Sequence, residues 1–388
     1  MGELHGDGKA SSATHITALD GLRALAILLV IPHNADIFSN SPSWMWPAAI
    51  LAHAGWIGVQ LFFVLSGFLI TRNLLDSRNS DNYFGAFYGR RALRILPVYF
   101  LTLFVALVLL PHFVDFSPGA LASHRNQVWL WTFLINWVQP LGVDVSGFSH
   151  FWSLAVEEQF YLVWPFIVLL FAGKRFLWAC AAFVVVAFAT RVALLHFGGN
   201  PEMLYMFTVC RMDALALGAA AAALSQSGRC NEWLGRHRNR ALLLCAGLLL
   251  VTALITHTYA VYDPQTLTIG YPLLAGAFAL LILTLKSIQD RRPDHWLNTL
   301  LSTPLLRSVG RYSYAMYIFH LPILTLFGAS IRETFAFAGA AMPLFYVASA
   351  VVLTYGAGFV SYHLVEKHFL RLKYLFSPRM PAALPTQR

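Results

Sequence analysis

The sequence predicts an all-α protein, a polytopic membrane helix bundle of about ten transmembrane spans with one short re-entrant or interfacial segment. Two observations indicate this fold class. Of the 388 residues, 58% are hydrophobic and only 12% are charged, and the apolar residues fall in long blocks separated by short polar joints. No linker rich in Pro, Gly or Ser divides these blocks, so we expect one membrane domain at 17–370, between a polar N-terminal tail at 1–16 and a basic C-terminal tail at 371–388.

The predicted spans are the apolar blocks that approach the length of about 20 residues needed to cross a bilayer as a helix. They run over residues 17–38, 54–72, 95–112, 154–171, 176–197, 204–225, 241–258, 267–286, 312–330 and 343–365.

A further apolar piece, "QVWLWTFLINWVQP" from Gln127 to Pro140, is too short to cross and rich in Trp, which favours an interfacial or re-entrant position. If it does not cross, nearly all Lys and Arg residues between the spans lie on one face, and the opposite loops hold only Arg125 and Arg332. By the positive-inside rule the basic face is cytoplasmic. We therefore expect a multi-pass protein of the inner (plasma) membrane with both termini in the cytoplasm.

Composition also limits the partners and cofactors. The formal net charge is +9, but basic cytoplasmic loops account for it and no basic patch is interleaved with aromatic residues, so we expect membrane lipids and not nucleic acid as partners. The four Cys residues are isolated from one another and there is no H-E-x-x-H motif. We therefore predict neither a metal site nor a permanently bound cofactor.

Ionisable residues at membrane depth are the first functional signal. A mid-bilayer Arg or Asp costs about 2.5–3.5 kcal/mol, so such residues usually face a polar cavity, a partner or a substrate. Those within or at the edges of predicted spans are Arg23, His33, Arg191, Arg211, Asp213 and His320. Arg211 and Asp213 are two residues apart and should have separate partners. The run "ALALGAAAAAL" that follows them predicts close helix packing.

The first span, within "DGLRALAILLVIPHNAD", carries Arg23 near one end and His33 near the other. Ten residues of helix separate them by about 15 Å, too far for one direct hydrogen-bond network. A neutral histidine titrates in the range that suits a general base. Asp36, three residues further on, either orients the imidazole as acids do in catalytic triads or faces water at the outer end of the span.

Arginines are concentrated on the inner side in "FYGRRALRILPVYF", which contains Arg90, Arg91 and Arg94. Arg91 and Arg94 are three residues apart and share one face of a helix start. Guanidinium groups bind phosphate in a bidentate manner, so this face suits a phosphorylated cofactor. Positive-inside anchoring is the alternative explanation.

On the outer side, "HFWSLAVEEQFYLVWP" places His150, Glu157, Glu158 and Tyr161 where a span begins. One interpretation is structural, because acidic residues stabilise a helix start and Tyr is enriched at membrane interfaces. The other is that these residues line the outer mouth of a cavity and bind a polar acceptor.

Seven stretches together resemble the acyltransferase-3 family of integral membrane O-acyltransferases. They cover nearly the whole chain, from about residue 17 to about residue 370, and read in order "LDGLRALAILLVIPHNA", "GVQLFFVLSGFLIT", "RRALRILPVYF", "HFWSLAVEEQFYLVWP", "RMDALALG", "GRYSYAMYIFHLPI" and "SYHLVEKHF".

The resemblance implies transfer of an acyl group, usually acetyl, from cytoplasmic acyl-CoA as co-substrate to a hydroxyl of an extracytoplasmic acceptor. The acceptor is commonly a sugar of a surface polysaccharide or a lipid-linked glycan. The family's arginine and histidine of the first span fall on Arg23 and His33, and its R-x-x-R motif falls on Arg91 and Arg94. His33 is then the general base or an acyl carrier. Arg23 guides the pantetheine or stabilises a buried acid.

Two departures from the family pattern are visible. The family usually has ten residues between the arginine and the histidine, whereas this chain has nine, which leaves the two side chains about 80° apart on a straight helix. We expect Pro32 to distort the helix and swing His33 toward the Arg23 face. Many relatives also carry a hydrolase-like domain after the last span, whereas this chain stops about twenty residues beyond it; if the acceptor needs such a domain, we expect a separate extracytoplasmic acyl-handling protein to supply it.

The main alternative is a transporter or flippase for a glycan or polar lipid precursor, since many spans and intramembrane charges are equally typical of transporters. The sequence shows no inverted repeat and no pair of Gly/Pro-broken spans in corresponding places. The enzyme is therefore the favoured interpretation.

Overall fold

The computed structural model describes residues 16–39, 41–113 and 118–379. The predicted N-terminal tail lies outside this part except for Ile16, and so do residues 380–388 of the predicted basic tail.

The described residues form helices and no strands. Ten helices dominate them: α1 Thr17–Ala35, α2 Ile57–Asp76, α3 Tyr83–Leu103, α4 Trp152–Leu170, α5 Lys174–His196, α6 Thr208–Ser225, α7 Gly228–Ile255, α8 Tyr271–Arg291, α9 Pro304–Thr334 and α10 Met342–Ser361. Each belongs to one of ten helical segments that are long and apolar enough to cross a membrane. Shorter helices are Trp46–His53, Pro118–Arg125, Val128–Trp131, Ile135–Val138, Pro201–Met206, Trp296–Leu301 and Lys367–Arg371. The predicted all-α membrane bundle is confirmed.

Several helices extend well beyond the predicted apolar spans. Helix α3 begins at Tyr83 instead of residue 95, and α7 begins at Gly228 instead of residue 241, with a kink at His237. Hydropathy detects only the part of a helix that meets hydrocarbon, whereas the charged turns beyond it remain helical. As a result, Arg90, Arg91 and Arg94 lie in the body of α3 and not at its start.

The Trp-rich segment at 127–140 does not cross, as predicted. It folds into two four-residue helices, of which Val128–Trp131 packs on α3 and Ile135–Val138 packs on α4. The ring of Phe133 stacks on Tyr99 at 4.3 Å between centroids, and the Tyr99 hydroxyl donates to the Leu130 carbonyl at 2.7 Å. These contacts explain why so short a segment is ordered without spanning the bundle.

Helices α2 and α6 touch backbone to backbone at the centre of the bundle. A Cβ placed on Gly67 would overlap the carbonyl oxygen of Leu215, and one placed on Gly218 would overlap that of Val64. Small residues permit such approach, and van der Waals packing then holds membrane helices together where the hydrophobic effect is weak. The close packing predicted from the small-residue run in α6 is confirmed.

Polar contacts tie the same helices together inside the apolar core. Arg191 of α5 pairs with Asp213 of α6 at 2.7 Å, with both side chains buried. Arg211 instead donates to Gln60 at 2.7 Å and lies over the ring of Tyr271 at 4.0 Å. Arg211 and Asp213 therefore have separate partners, as expected, and neither faces lipid.

Substituting Gly67 by Ala tests the backbone contact. We expect Gly67→Ala to lower the free energy of unfolding by about 1–3 kcal/mol, because the methyl group forces α2 and α6 apart. Thermal unfolding of the detergent-purified protein measures the loss. Gly276→Ala in α8 is the matched control, since a Cβ there meets nothing within 4 Å. Equal unfolding midpoints for the two variants would contradict the packing.

Candidate active site

Three adjacent cavities follow one another through the bundle. The first, which we call the arginine cavity, has a volume of about 350 Å³ and is lined by the basic residues of α1 to α3. The second, the neck, has only about 70 Å³ and shares Arg23, Ser66, Arg91 and Arg94 with the first. The third, the histidine cavity, has about 630 Å³ and contains His33. It adjoins the neck, since Val59 and Tyr317 line both.

The arginine cavity is strongly cationic. Its basic lining residues are Arg23, Arg72, Arg90, Arg91, Arg94 and Lys373. Asp20 is the one carboxylate among the described residues that line it. Helix α3 supplies three of the arginines within five consecutive positions. The Nε–H of Arg90 donates a hydrogen bond to the Ala86 carbonyl at 2.9 Å, which fixes the position of its side chain. Such an excess of positive charge suits a polyanionic ligand.

One carboxylate lies among the arginines of the neck. Both oxygens of Glu157 accept hydrogen bonds, from the Ser66 hydroxyl at 2.9 Å and from the Tyr161 hydroxyl at 2.5 Å. The Arg91 guanidinium lies over the Tyr161 ring, 4.2 Å from its centroid. Glu157 therefore offsets part of the positive charge and holds the Tyr161 ring against Arg91.

This placement corrects the sequence-based grouping of His150, Glu157, Glu158 and Tyr161 at one outer mouth. His150 lines the histidine cavity, whereas Glu157 lines the neck and Tyr161 is buried beside it. Glu158 lines none of the three cavities. The reason is the rise of the chain: the seven residues from His150 to Glu157 advance it by about 10 Å, which separates the Glu157 carboxylate from the histidine cavity.

His33 is half-buried in the wall of the histidine cavity. Its Nδ1 lies 3.0 Å from the carbonyl oxygen of Ala52, in the short helix before α2. Because a carbonyl only accepts, Nδ1 carries the hydrogen and Nε2 retains its lone pair. The imidazole is thus held in the tautomer that can take a proton at Nε2.

The surroundings of His33 bear on the expectations for Pro32 and Asp36, and Asp36 takes the second of its two alternatives because it faces solvent. Helix α1 continues as one helix through Pro32 to Ala35. No distortion is needed, because His33 and Arg23 face different cavities. Asp36 caps the end of α1 in a left-handed conformation with φ of 42° and is exposed. It accepts from the Ser39 hydroxyl at 3.0 Å, and the Ala52 carbonyl is what binds the His33 ring.

Sequence reasoning missed the buried contacts behind the histidine cavity. His320 of α9 is fully buried, and its Nε2 accepts from the Asn34 amide at 3.2 Å. The His150 ring lies 4.6 Å from the His320 ring, and its Nε2 donates to the Ile318 carbonyl at 3.2 Å. Asn34 adjoins His33, so these contacts fix the end of α1 against α9. In the sequence, the one feature that points to these contacts is a polar residue, His320, within an apolar predicted span.

The rest of the histidine cavity combines aromatic and polar side chains. Trp152, Tyr205 and Tyr262 supply the aromatic surface. Gln139 and Glu202 supply polar groups from the non-spanning segment and from helix Pro201–Met206.

Comparison with known proteins agrees with this arrangement of spans. The sequence profile of an acyltransferase domain family matches residues 16–372. The chain belongs to the acyltransferase-3 family.

Curated relatives within the acyltransferase-3 family include bacterial O-acetyltransferases. The chain is 30% identical over 334 residues to the peptidoglycan O-acetyltransferase OatA of Listeria monocytogenes, covering 81% of this chain and 50% of the relative. It is 29% identical over 376 residues to the putative peptidoglycan O-acetyltransferase YrhL of Bacillus subtilis, covering 92% and 55%. The chain thus spans about half the length of the curated relatives it matches. No solved structure matches it.

Cysteine labelling tests whether the two large cavities open on opposite membrane faces. In sealed vesicles of a Cys230→Ser background, we expect a membrane-impermeant maleimide to label Arg90→Cys from one side only and Asp36→Cys from the other only. The two positions lie at opposite ends of the series of cavities. The native Cys180 and Cys245 are buried and serve as unlabelled controls. Labelling of both introduced cysteines from the same side would contradict the arrangement.

Proposed function

We propose that this chain is a membrane O-acyltransferase that moves an acetyl group from acetyl-CoA to a hydroxyl of a glycan or other sugar-containing acceptor. The observation that carries the proposal is the series of cavities, with a cationic cavity at one end, a half-buried histidine at the other and a narrow neck between them. The O-acetyltransferase names of the relatives support it. By the positive-inside rule, we propose that the arginine cavity and both termini lie on the cytoplasmic face of the inner membrane.

The donor is proposed to bind with its phosphates in the arginine cavity. Arg91 and Arg94 line both this cavity and the neck, so they suit the pyrophosphate next to the pantetheine arm. Arg90 lines the arginine cavity alone. The charge on the cavity also raises the local concentration of an anionic donor.

The size of the neck supports a division between donor and acceptor. Its volume of about 70 Å³ is much smaller than the 350 and 630 Å³ of the two cavities that it joins. A thin pantetheine arm is compatible with such a passage, whereas a sugar ring is not. The same narrowness disfavours the alternative of a glycan transporter or flippase. Arg23, which lines the neck, is proposed to guide the arm.

The chemistry is proposed to take place at His33. Nε2 accepts the proton of the acceptor hydroxyl as its oxygen attacks the acetyl carbonyl. A C–O ester bond forms, the C–S thioester bond breaks, and the imidazolium returns the proton to the coenzyme A sulfur. The Ala52 carbonyl, 3.0 Å from Nδ1, stabilises the imidazolium and keeps the ring oriented.

The histidine cavity is proposed to hold the acceptor. Its volume of about 630 Å³ lies in the range of small-molecule binding sites. Trp152, Tyr205 and Tyr262 offer flat apolar surfaces for sugar faces, and Gln139 and Glu202 offer partners for hydroxyls. A polymeric or lipid-linked glycan that enters from the outer face would fit this lining.

Substitution of His33 tests the proposed base. We expect His33→Gln to lower acetyl transfer by about 10²–10⁴-fold, because general base catalysis is lost while the donor site is unchanged. Release of labelled coenzyme A and acetylation of a soluble cell-wall glycan fragment measure the reaction in proteoliposomes.

His53→Gln is the matched control for this substitution. His53 lines the same cavity but is exposed, so we expect nearly unchanged transfer. Equal loss in both variants, or full activity of His33→Gln, would contradict the assignment of the base.

A further inference from the structure

The last described residues lie across the beginning of α3. Residues 372–379, which we call the C-terminal strap, include a short helical turn at Leu372–Phe376. A Cβ on Gly89 would overlap the Phe376 ring, so only glycine leaves room for it. The Asn82 amide donates to the Ser377 carbonyl at 2.9 Å and accepts from the Arg379 N–H at 2.8 Å. The strap is therefore seated on α3 by packing and by backbone hydrogen bonds.

Lys373 is the residue of the strap that lines the arginine cavity. It is half-buried and makes no hydrogen bond or ion pair within the described part of the chain. Arg90, Arg91 and Arg94 line the same cavity. Bringing cations together is unfavourable by Coulomb's law unless an anion joins them. An ammonium group held here without a carboxylate partner therefore indicates a bound anion.

The position of Lys373 along the series of cavities limits which anion it meets. Arg91 and Arg94 line both the arginine cavity and the neck, whereas Lys373 and Arg90 line the arginine cavity alone. Lys373 thus meets only the part of a donor that lies in the arginine cavity, and not the part that passes through the neck toward the thioester. The match to the family profile ends at residue 372, one residue before it.

We propose that Lys373 binds the terminal 3′-phosphate of the acyl-CoA donor, so that the C-terminal strap makes the enzyme selective for a 3′-phosphorylated nucleotide. The proposal rests on the proposed function for the identity of the donor. In a coenzyme A thioester the order is thioester, pantetheine, pyrophosphate and then the 3′-phosphate on the ribose. Arg91 and Arg94 near the neck match the pyrophosphate, and Lys373 with Arg90 matches the terminal phosphate.

Binding of coenzyme A and of 3′-dephospho-coenzyme A to the purified full chain tests the proposal by titration calorimetry. We expect the wild type to bind coenzyme A about tenfold more tightly, as one charge-assisted contact provides. Lys373→Ala should remove this preference by lowering only the affinity for coenzyme A, and Lys373→Arg should largely retain the preference. Asn82→Ala, which frees the strap without changing the charge, should reduce the preference.

Arg371→Ala is the charge-matched control. Arg371 lies two residues before Lys373, is exposed and lines none of the three cavities, so its loss should leave both affinities unchanged. The assignment would be overturned if Lys373→Ala lowered the affinity for both ligands equally, or if the preference for coenzyme A were still present in this variant. Acetyl transfer is measured on the same preparations. If no acetyl transfer is measured but the protein still prefers coenzyme A and this preference depends on Lys373, the result contradicts the proposed function and supports the role of Lys373.

Discussion

Lipid cannot solvate a charged side chain, so each ionisable group inside the bundle has to face a partner or a cavity. Arg191 meets this requirement with Asp213, and Arg211 with Gln60 and the Tyr271 ring. The arginines of α3 meet it by facing a cavity. These groups require α2, α6 and α8 to pack tightly around the paired charges, while the arginine cavity is left between α1, α2 and α3. The site is thus a consequence of how charge is accommodated in an apolar bundle.

Helix α1 links the two ends of the site. Arg23 lines the neck and the arginine cavity, and His33, about 15 Å further along, lines the histidine cavity. A single regular helix thereby separates a region suited to a large anion from a region suited to an acceptor. The two residues need not share a face, because they line different cavities. The shortened spacing is therefore compatible with both roles.

The sequence was sufficient for features that depend on hydropathy and local spacing. The ten spans, the non-spanning segment and the close packing after Asp213 follow from apolar length, charge asymmetry and small residues. The Ala52 carbonyl beside His33 was not predictable, because it is a backbone atom brought by a different segment. The contact of Asn34 with His320 joins residues 286 positions apart and depends on the tertiary fold. The position of Glu157 was not predictable from its place near a helix start, because it depends on the rise of the chain after His150. Lys373 falls in the predicted basic tail because it follows the last apolar block.

The central claim is that donor and acceptor are used from opposite faces of one bundle. The most direct measurement uses sealed proteoliposomes of uniform orientation, with labelled acetyl-CoA on one side and a soluble glycan acceptor on the other. We expect acetylated glycan when the donor is on the side to which the arginine cavity opens and the acceptor is on the opposite side, and none when these positions are exchanged. Acetylation only when both substrates are on the same side would contradict the account.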